Sequence, residues 1–317
     1  MIWVKEEGYS DMMAGTVEPA LAEIRREVYL PVRGGKLHVE VYEPADAHSA
    51  LLLLHGYTES AEKFREMIWY FTQAGFAVYA PDQRGHGRSL RLSEDTSLTD
   101  VERFDDYVED AERILDDLMQ PPKTGRRSVL YAHSMGGAVG AFLLMRRPDA
   151  FDRAVLTSPM IALSSAPLPR WAGIAAGRLM CLAGKAKERA FIGKPFDAAS
   201  ETFENSFATS EARFAYYAKK RAENRHLQNC SPTYRWVCEA VKVTRGLLDP
   251  RNLQKIRTPV LLFQASRDTV VLLPEQEQFV AGLKQGRLVR CDARHEIYLS
   301  ADEVLRPYVT QILDFLP

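Results

Sequence analysis

The sequence is poor in the features that mark many protein classes. Its 317 residues contain only four cysteines, Cys181, Cys230, Cys238 and Cys291, and no two pairs of them fall at a metal-ligand spacing. They read as reduced thiols in packed positions, which excludes a disulfide scaffold and a zinc module. No apolar run approaches the roughly 20 residues that span a bilayer. The nearest, 161–183, is interrupted by Pro167, Pro169, Arg170 and Arg178. The opening stretch MIWVKEEGYSDMMAG lacks a basic segment followed by an apolar one, so it does not read as a secretion signal. Net charge is nearly absent too. The 41 Lys and Arg against 42 Asp and Glu leave −1, and the whole molecule has no electrostatic attraction to nucleic acid. These absences together point to a cytoplasmic protein with no nucleic-acid partner.

What is present is ordinary for a globular chain: 46% hydrophobic and 26% charged residues, with length enough to bury a sizeable core. The first half alternates strand and helix signals. REVYLPV and LHVEVYEP flank the turn RGGK and predict a hairpin. ALLLLHG, at 50–56, is a continuous apolar run closed by glycine, the pattern of a strand covered on both faces. SAEKFREMIWYFTQAG predicts a helix with Ser60 at its N-cap and Gly75 just beyond its end. FAVYAPD, SVLYAHS and RAVLTSP read as further strands. An amphipathic helix is predicted from Thr99 to Met119, and another, MGGAVGAFLLMRR, directly follows SVLYAHS.

The alternation stops near residue 160 and resumes after 245 with strand PVLLFQAS, a helix from Pro274, strand RLVRCD and a last helix from Ala301 to Leu316. Eight strands separated by helices predict an α/β fold, a mostly parallel sheet with helices on both faces. Its core is residues 1–159 and 246–317, and 160–245 are expected to form an inserted helical cap. Ligands of such sheets bind beyond the carboxyl ends of the strands.

Five loops at those ends carry chemical groups: HGYTES, DQRGHGRS, the turn at Ser134, SRDTVV and DARHEIY. Acyl transfer needs a serine activated by a base, a carboxylate that orients the base, and N–H donors for the developing oxyanion. The stretch LYAHSMGGAVG places Ser134 between a strand and a helix, where a G-x-S-x-G turn would hold a nucleophile. Gly136 satisfies one side of that pattern; Ala132 replaces the other glycine. Of the seven histidines, 38, 48, 55, 86, 133, 226 and 295, only His295 follows the last strand, where the order Ser, acid, His requires the base. Asp268, just after PVLLFQAS, is the candidate acid; its rival Asp292 lies three residues before His295. Candidate oxyanion donors are the backbone N–H groups of Tyr57 and Met135. His55 and His86 are expected to hold their loops by hydrogen bonds, and His133 to pack or bond locally. His226 lies in the basic cap, where nothing supports substrate contact.

These residues resemble the α/β-hydrolase superfamily. LLLLHGY, DQRGHGRS, AHSMGG, SRDTVV and HEI recur at its spacing across 50–300. Within it, LTSPMIAL, RFAYYAKKRAENRHLQNC and SPTYRWVCEAV are similar to bacterial lysophospholipases and their relatives, the monoacylglycerol lipases. The resemblance implies a serine ester hydrolase that releases a fatty acid from a single-acyl glycerolipid through an acyl-enzyme, with no cofactor or metal. The alternatives are a monoacylglycerol lipase or general carboxylesterase, then an aminopeptidase relative or a non-catalytic binding protein. Two residues depart from the pattern: Ala132, and Ser300, which stands where relatives often carry glutamate.

The cap carries 14 Lys and Arg against 7 Asp and Glu, a balance of +7 in a chain of total −1. That excess fits either a solvated surface or peripheral contact with anionic membrane. LPRWAGIAAGRLMCLAG, which mixes Trp171, Leu179 and Met180 with Arg170 and Arg178, suits an interface or a lid on an acyl pocket.

Overall fold

A computed structural model describes residues 1–120, 124–163 and 170–317, with the backbone alone for 170–174. Pro167 and Pro169 of the cap, and the side chains of Arg170 and Trp171, lie outside the described residues.

Eight strands form one sheet: β1 (Arg25–Val32), β2 (Gly35–Tyr42), β3 (Ser49–Leu54), β4 (Phe76–Pro81), β6 (Arg127–His133), β7 (Arg153–Thr157), β9 (Val260–Ala265) and β10 (Gly286–Cys291). The order is β1-β2-β4-β3-β6-β7-β9-β10. The hairpin edge is antiparallel, with β2 antiparallel to both β1 and β4; every other pairing is parallel. Two short segments, β5 (Leu98–Thr99) and β8 (Ser231–Pro232), form a separate parallel pair.

The continuous apolar strands are buried on both faces, as their composition demands. In β3, Leu52 and Leu54 pack toward the helices Asp105–Ile114 and Met135–Arg146, while Leu51 and Leu53 pack toward Arg65–Gln73 and Asp302–Phe315. All four leucines are at most 1% exposed. Each is worth roughly 1.5–3 kcal/mol of transfer free energy, which makes the sheet a rigid base for the loops at its carboxyl end.

Two local expectations are corrected. The amphipathic helix begins at Asp105, not Thr99, because Leu98 and Thr99 pair with Ser231 and Pro232. Ser60 has extended dihedrals but makes no cap hydrogen bond, and Ala61–Phe64 is a 3₁₀ turn leading into the helix. Gly75 does end that helix, at φ 80°.

Between β7 and β9 the chain forms the helices Arg170–Met180, Glu211–Glu223 and Tyr234–Leu247. The third packs on Met135–Arg146, and its Trp236 lies over Tyr57 with ring centroids 4.3 Å apart. Among the described residues, no helix is long and apolar enough to cross a membrane.

Candidate active site

β6 turns into the helix Met135–Arg146 through one residue, Ser134, at φ 50° and ψ −115°. A non-glycine residue at positive φ costs on the order of 1–3 kcal/mol and persists only when its surroundings over-determine it. Here they do. The Ser134 N–H donates to Thr157 O at 3.0 Å, and its carbonyl accepts from Met160 N at 2.8 Å. The turn also needs bare backbone. A Cβ at Gly136 would stand 2.3 Å from Leu54 O and 2.6 Å from His55 O. Ala132 fits for a related reason: its methyl faces Gly140, where a Cβ would lie only 3.2 Å away. With no side chain at Gly140, the helix leaves room for the Ala132 methyl on the facing strand.

The three residues expected to work together meet. His295 Nε2 is 2.8 Å from Ser134 Oγ, and His295 Nδ1 is 2.6 Å from Asp268 Oδ2. Asp268 Oδ1 accepts the N–H groups of Val270 at 2.8 Å and Val271 at 3.2 Å. Burial alone would raise the Asp268 carboxyl. The hydrogen bond from His295, its charge and the two N–H groups outweigh that and hold it below the usual carboxylate range. The rival Asp292 faces outward and pairs with Arg267 at 2.9 Å.

On the other side of Ser134 lies the HGYT loop. Among the described residues, neither the Tyr57 nor the Met135 N–H has a protein acceptor. The neighbours of Tyr57 are fixed on both sides. Gly56 N–H donates to Glu59 Oε2 at 2.5 Å, and Thr58, at φ 63°, donates its N–H to His86 Nε2 at 3.3 Å. His55 reciprocates by accepting Gln83 N–H on Nε2 at 2.8 Å. The two histidines therefore hold loops, as expected. His133 is fully buried against the rings of Phe64, His295 and Tyr298, and burial holds it neutral, well below the ordinary histidine range. His226 is exposed, and its carbonyl accepts from Arg91 at 3.1 Å.

Sequence reasoning missed a buried charge cluster behind the site. Lys63 Nζ contacts Glu296 at 2.5 Å and Glu59 at 3.5 Å, and Tyr298 OH donates to Glu59 Oε1 at 2.5 Å. Burial disfavours the Lys63 ammonium, but the charges of Glu296 and Glu59 hold its pKa above the usual lysine range. The cluster joins the HGYT loop to the histidine loop. Glu59 stands inside HGYTES, Glu296 and Tyr298 inside DARHEIY, and Lys63 three residues beyond the first motif, but no spacing rule pairs them.

Glu27, His38 and Glu40 stand close enough to hold a metal ion. Arg65 and Arg25 occupy Glu40, and Arg88 occupies Glu27, so the donor set is already neutralised by cations and does not fit one.

A strained serine at a strand-to-helix turn, with the histidine and the buried carboxylate delivered by later strand ends, defines a hydrolase of the α/β-hydrolase superfamily. Over residues 45–301 the sequence matches the family described as serine aminopeptidase, S33, and the chain belongs to that family. Lysophospholipase L2 of Escherichia coli (strain K12) is 30% identical over 276 residues, covering 84% of this chain and 79% of the relative. A soluble variant of monoglyceride lipase from Saccharomyces cerevisiae superposes with a TM-score of 0.72 at 18% identity, covering 92% of this chain and 94% of that one. A carboxyl esterase from Bacillus coagulans gives 0.71 at 18% identity, with 92% and 97% covered.

Proposed function

We propose that this protein is a lysophospholipase that hydrolyses a single-acyl glycerolipid, with Ser134 as nucleophile, His295 as base and Asp268 as its orienting acid. The observation that carries the reading is the relay Asp268–His295–Ser134 at 2.6 and 2.8 Å, set on a strained turn. His295 removes the Ser134 proton as Oγ attacks the ester carbonyl. The imidazolium is stabilised by Asp268, and the N–H groups of Tyr57 and Met135 receive the oxyanion. His295 then protonates the leaving alcohol and activates the water that releases the fatty acid.

The relatives support the lipid class. Both lysophospholipase L2 and, at 34% identity over 131 residues, the monoacylglycerol lipase of Mycolicibacterium smegmatis carry single-acyl lipid names. An aminopeptidase needs acidic groups to hold the substrate amine, and the basic insertion does not favour one. The reading includes residues 160–245 as a cap, with one adjustment: the helix Tyr234–Leu247 runs past 245.

Peripheral contact with anionic membrane belongs to the same proposal. Leu179, Leu182, Phe191 and Ile192 are 57–87% exposed, on a stretch that also exposes Arg178, Lys185, Lys187 and Lys194. Fatty-acid release from a lysophospholipid, a monoacylglycerol and a p-nitrophenyl butyrate, beside an aminoacyl p-nitroanilide, tests the substrate class. The expected order puts the lysophospholipid first and the anilide at background; a preferred anilide overturns the reading.

A further inference from the structure

The loop that carries His295 has two sides. One faces Ser134 and Asp268. The other is covered by residues 203–213, a segment from the insertion between β7 and β9. Glu296 N–H donates to Phe207 O at 3.1 Å, and Thr209 and Ser210 donate their N–H groups to Leu299 O at 3.2 and 3.0 Å. Arg294 Nη1 donates to Ser206 O at 3.0 Å, and the Phe207 ring stands edge-on to the His295 ring at 6.0 Å. The backbone of the histidine loop is thus strapped from outside by a segment of the insertion.

What anchors the strap is Arg213, whose side chain is wholly buried. Its Nε and Nη2 grip both oxygens of Glu66 at 2.9 Å, Nη2 reaches Asp302 Oδ1 at 2.9 Å, and Nη1 donates to Ser300 O at 3.0 Å. Glu66 lies on the helix Arg65–Gln73 and Asp302 opens the last helix, so one guanidinium ties the insertion to two core helices and to the end of the histidine loop. The chain's first residues complete the clasp. Glu6 accepts Ser210 Oγ–H at 2.6 Å and Asp302 N–H at 3.0 Å, Val4 O lies 3.4 Å from Arg213 Nη2, and Tyr9 OH donates to Glu66 at 3.0 Å.

Burying a guanidinium is costly unless its charge and donors are met. Here two carboxylates and two carbonyls meet them, at the point where the insertion, the N-terminal segment and the histidine loop converge. A surface helix needs no such anchor. The planar guanidinium presents its donors in one fixed fork that pairs both oxygens of Glu66 while reaching Asp302 and the Ser300 carbonyl, a geometry that the single nitrogen of a lysine does not reproduce.

We infer that Arg213 is a positioning residue for His295, acting through the strap 203–213 and the carbonyls of Leu299 and Ser300. The inference rests on His295 being the base. Misplacing a catalytic group by about 1 Å can cost about 100-fold in rate. The expected effect of Arg213→Lys is therefore a 10- to 100-fold fall in kcat per active site with little change in KM.

The test counts active sites with a fluorophosphonate probe and measures kcat and KM of the full chain on a p-nitrophenyl ester, alongside Glu6→Ala. Glu6→Ala loosens the clasp without uncovering a buried charge, and keeps the test open if Arg213→Lys does not fold. Its expected fall is smaller, about 3- to 10-fold in kcat, again with KM held. A purely structural Arg213 would lower the number of titratable sites and the melting temperature while leaving kcat per titrated site unchanged. That result, in whichever variant folds, overturns the inference. Failure of the underlying reading shows separately, as activity near the wild-type level in His295→Ala or Ser134→Ala.

Discussion

His55 and His86 each accept an N–H from the other's loop: Gln83 N–H reaches His55 Nε2 at 2.8 Å, and Thr58 N–H reaches His86 Nε2 at 3.3 Å. Their rings meet edge to face at 5.2 Å. The Nδ1 atoms lie 2.7 Å from Gly56 O and 3.0 Å from Arg84 O, so each ring donates on Nδ1 and accepts on Nε2. Only neutral imidazole can do both. Burial, the largest cause for each, holds His55 below and His86 well below the ordinary histidine value. The folded protein therefore binds fewer protons here than the unfolded chain.

A pH dependence of stability follows. The contribution of this pair is complete above the unfolded histidine value of about 6.5 and is lost as pH falls through the lower folded values. Urea unfolding between pH 7.5 and 5.5 should show stability falling with acidification, each such group contributing up to about 1.4 kcal/mol per pH unit. In His86→Ala that slope should be shallower. The same variant leaves Thr58 N–H without its acceptor, at a cost of about 1–3 kcal/mol, and should lower kcat because Thr58 flanks the proposed oxyanion donor Tyr57. An unchanged slope in His86→Ala would show that the pair does not act as neutral hinges.

Much of this site was legible in the sequence because its parts sit at strand ends, and strands as apolar as LLLL or VLLF announce themselves. Ser134 and His295 could be placed by chain order, and Asp268 by its position directly after the strand PVLLFQAS, which, not order, favoured it over Asp292. The Glu59–Lys63–Glu296 cluster and Arg213 could not. They pair residues from distant loops, and the physics that makes them important, burial of compensated charge, depends on which loops the fold brings together. The start of the helix at Asp105 was missed for a similar reason. Leu98 and Thr99 fit the helical pattern, but a partner strand some 130 residues later claims their backbone.

Asp268 should act through orientation, and Asp268→Asn isolates that. The asparagine amide can still accept from Val270 and Val271. The group facing His295 Nδ1 then becomes a donor and favours the tautomer with its proton on Nε2, where Ser134 needs an acceptor. A fall of about 10⁴-fold in kcat is expected, with the melting temperature nearly unchanged. Ser134→Ala should abolish turnover with the fold intact. Activity within tenfold of wild type in Asp268→Asn would transfer the role of acid elsewhere.

Lys63 separates two buried carboxylates, Glu59 and Glu296, at 3.5 and 2.5 Å. Lys63→Met keeps much of the volume and removes the charge, leaving two like charges facing each other in a buried site. A loss of about 3–5 kcal/mol is expected in urea unfolding. Adding Glu296→Gln should recover part of it, since the amide removes one of the stranded charges. If the double variant is no more stable than the single, the loss came from packing and not from the uncovered carboxylates.

The Ala132–Gly140 contact sets a test of sign. On a helix, Gly→Ala gains up to about 1 kcal/mol in propensity. At position 140 the new methyl would stand 3.2 Å from the Ala132 methyl and 3.0 Å from Leu130 Cδ2, against overpacking costs of about 1–3 kcal/mol. Gly140→Ala alone should therefore be neutral to destabilising. In an Ala132→Gly background the same change should cost less, because one of the two crowding contacts is gone while that with Leu130 Cδ2 remains. The cycle should show a coupling of about 1–2 kcal/mol between positions 132 and 140, read from thermal or urea unfolding of the four proteins. Additive effects would mean that the strand and helix adjust freely around Ser134. A tight coupling would mean that Ala132 substitutes for the motif's glycine only because residue 140 has no side chain.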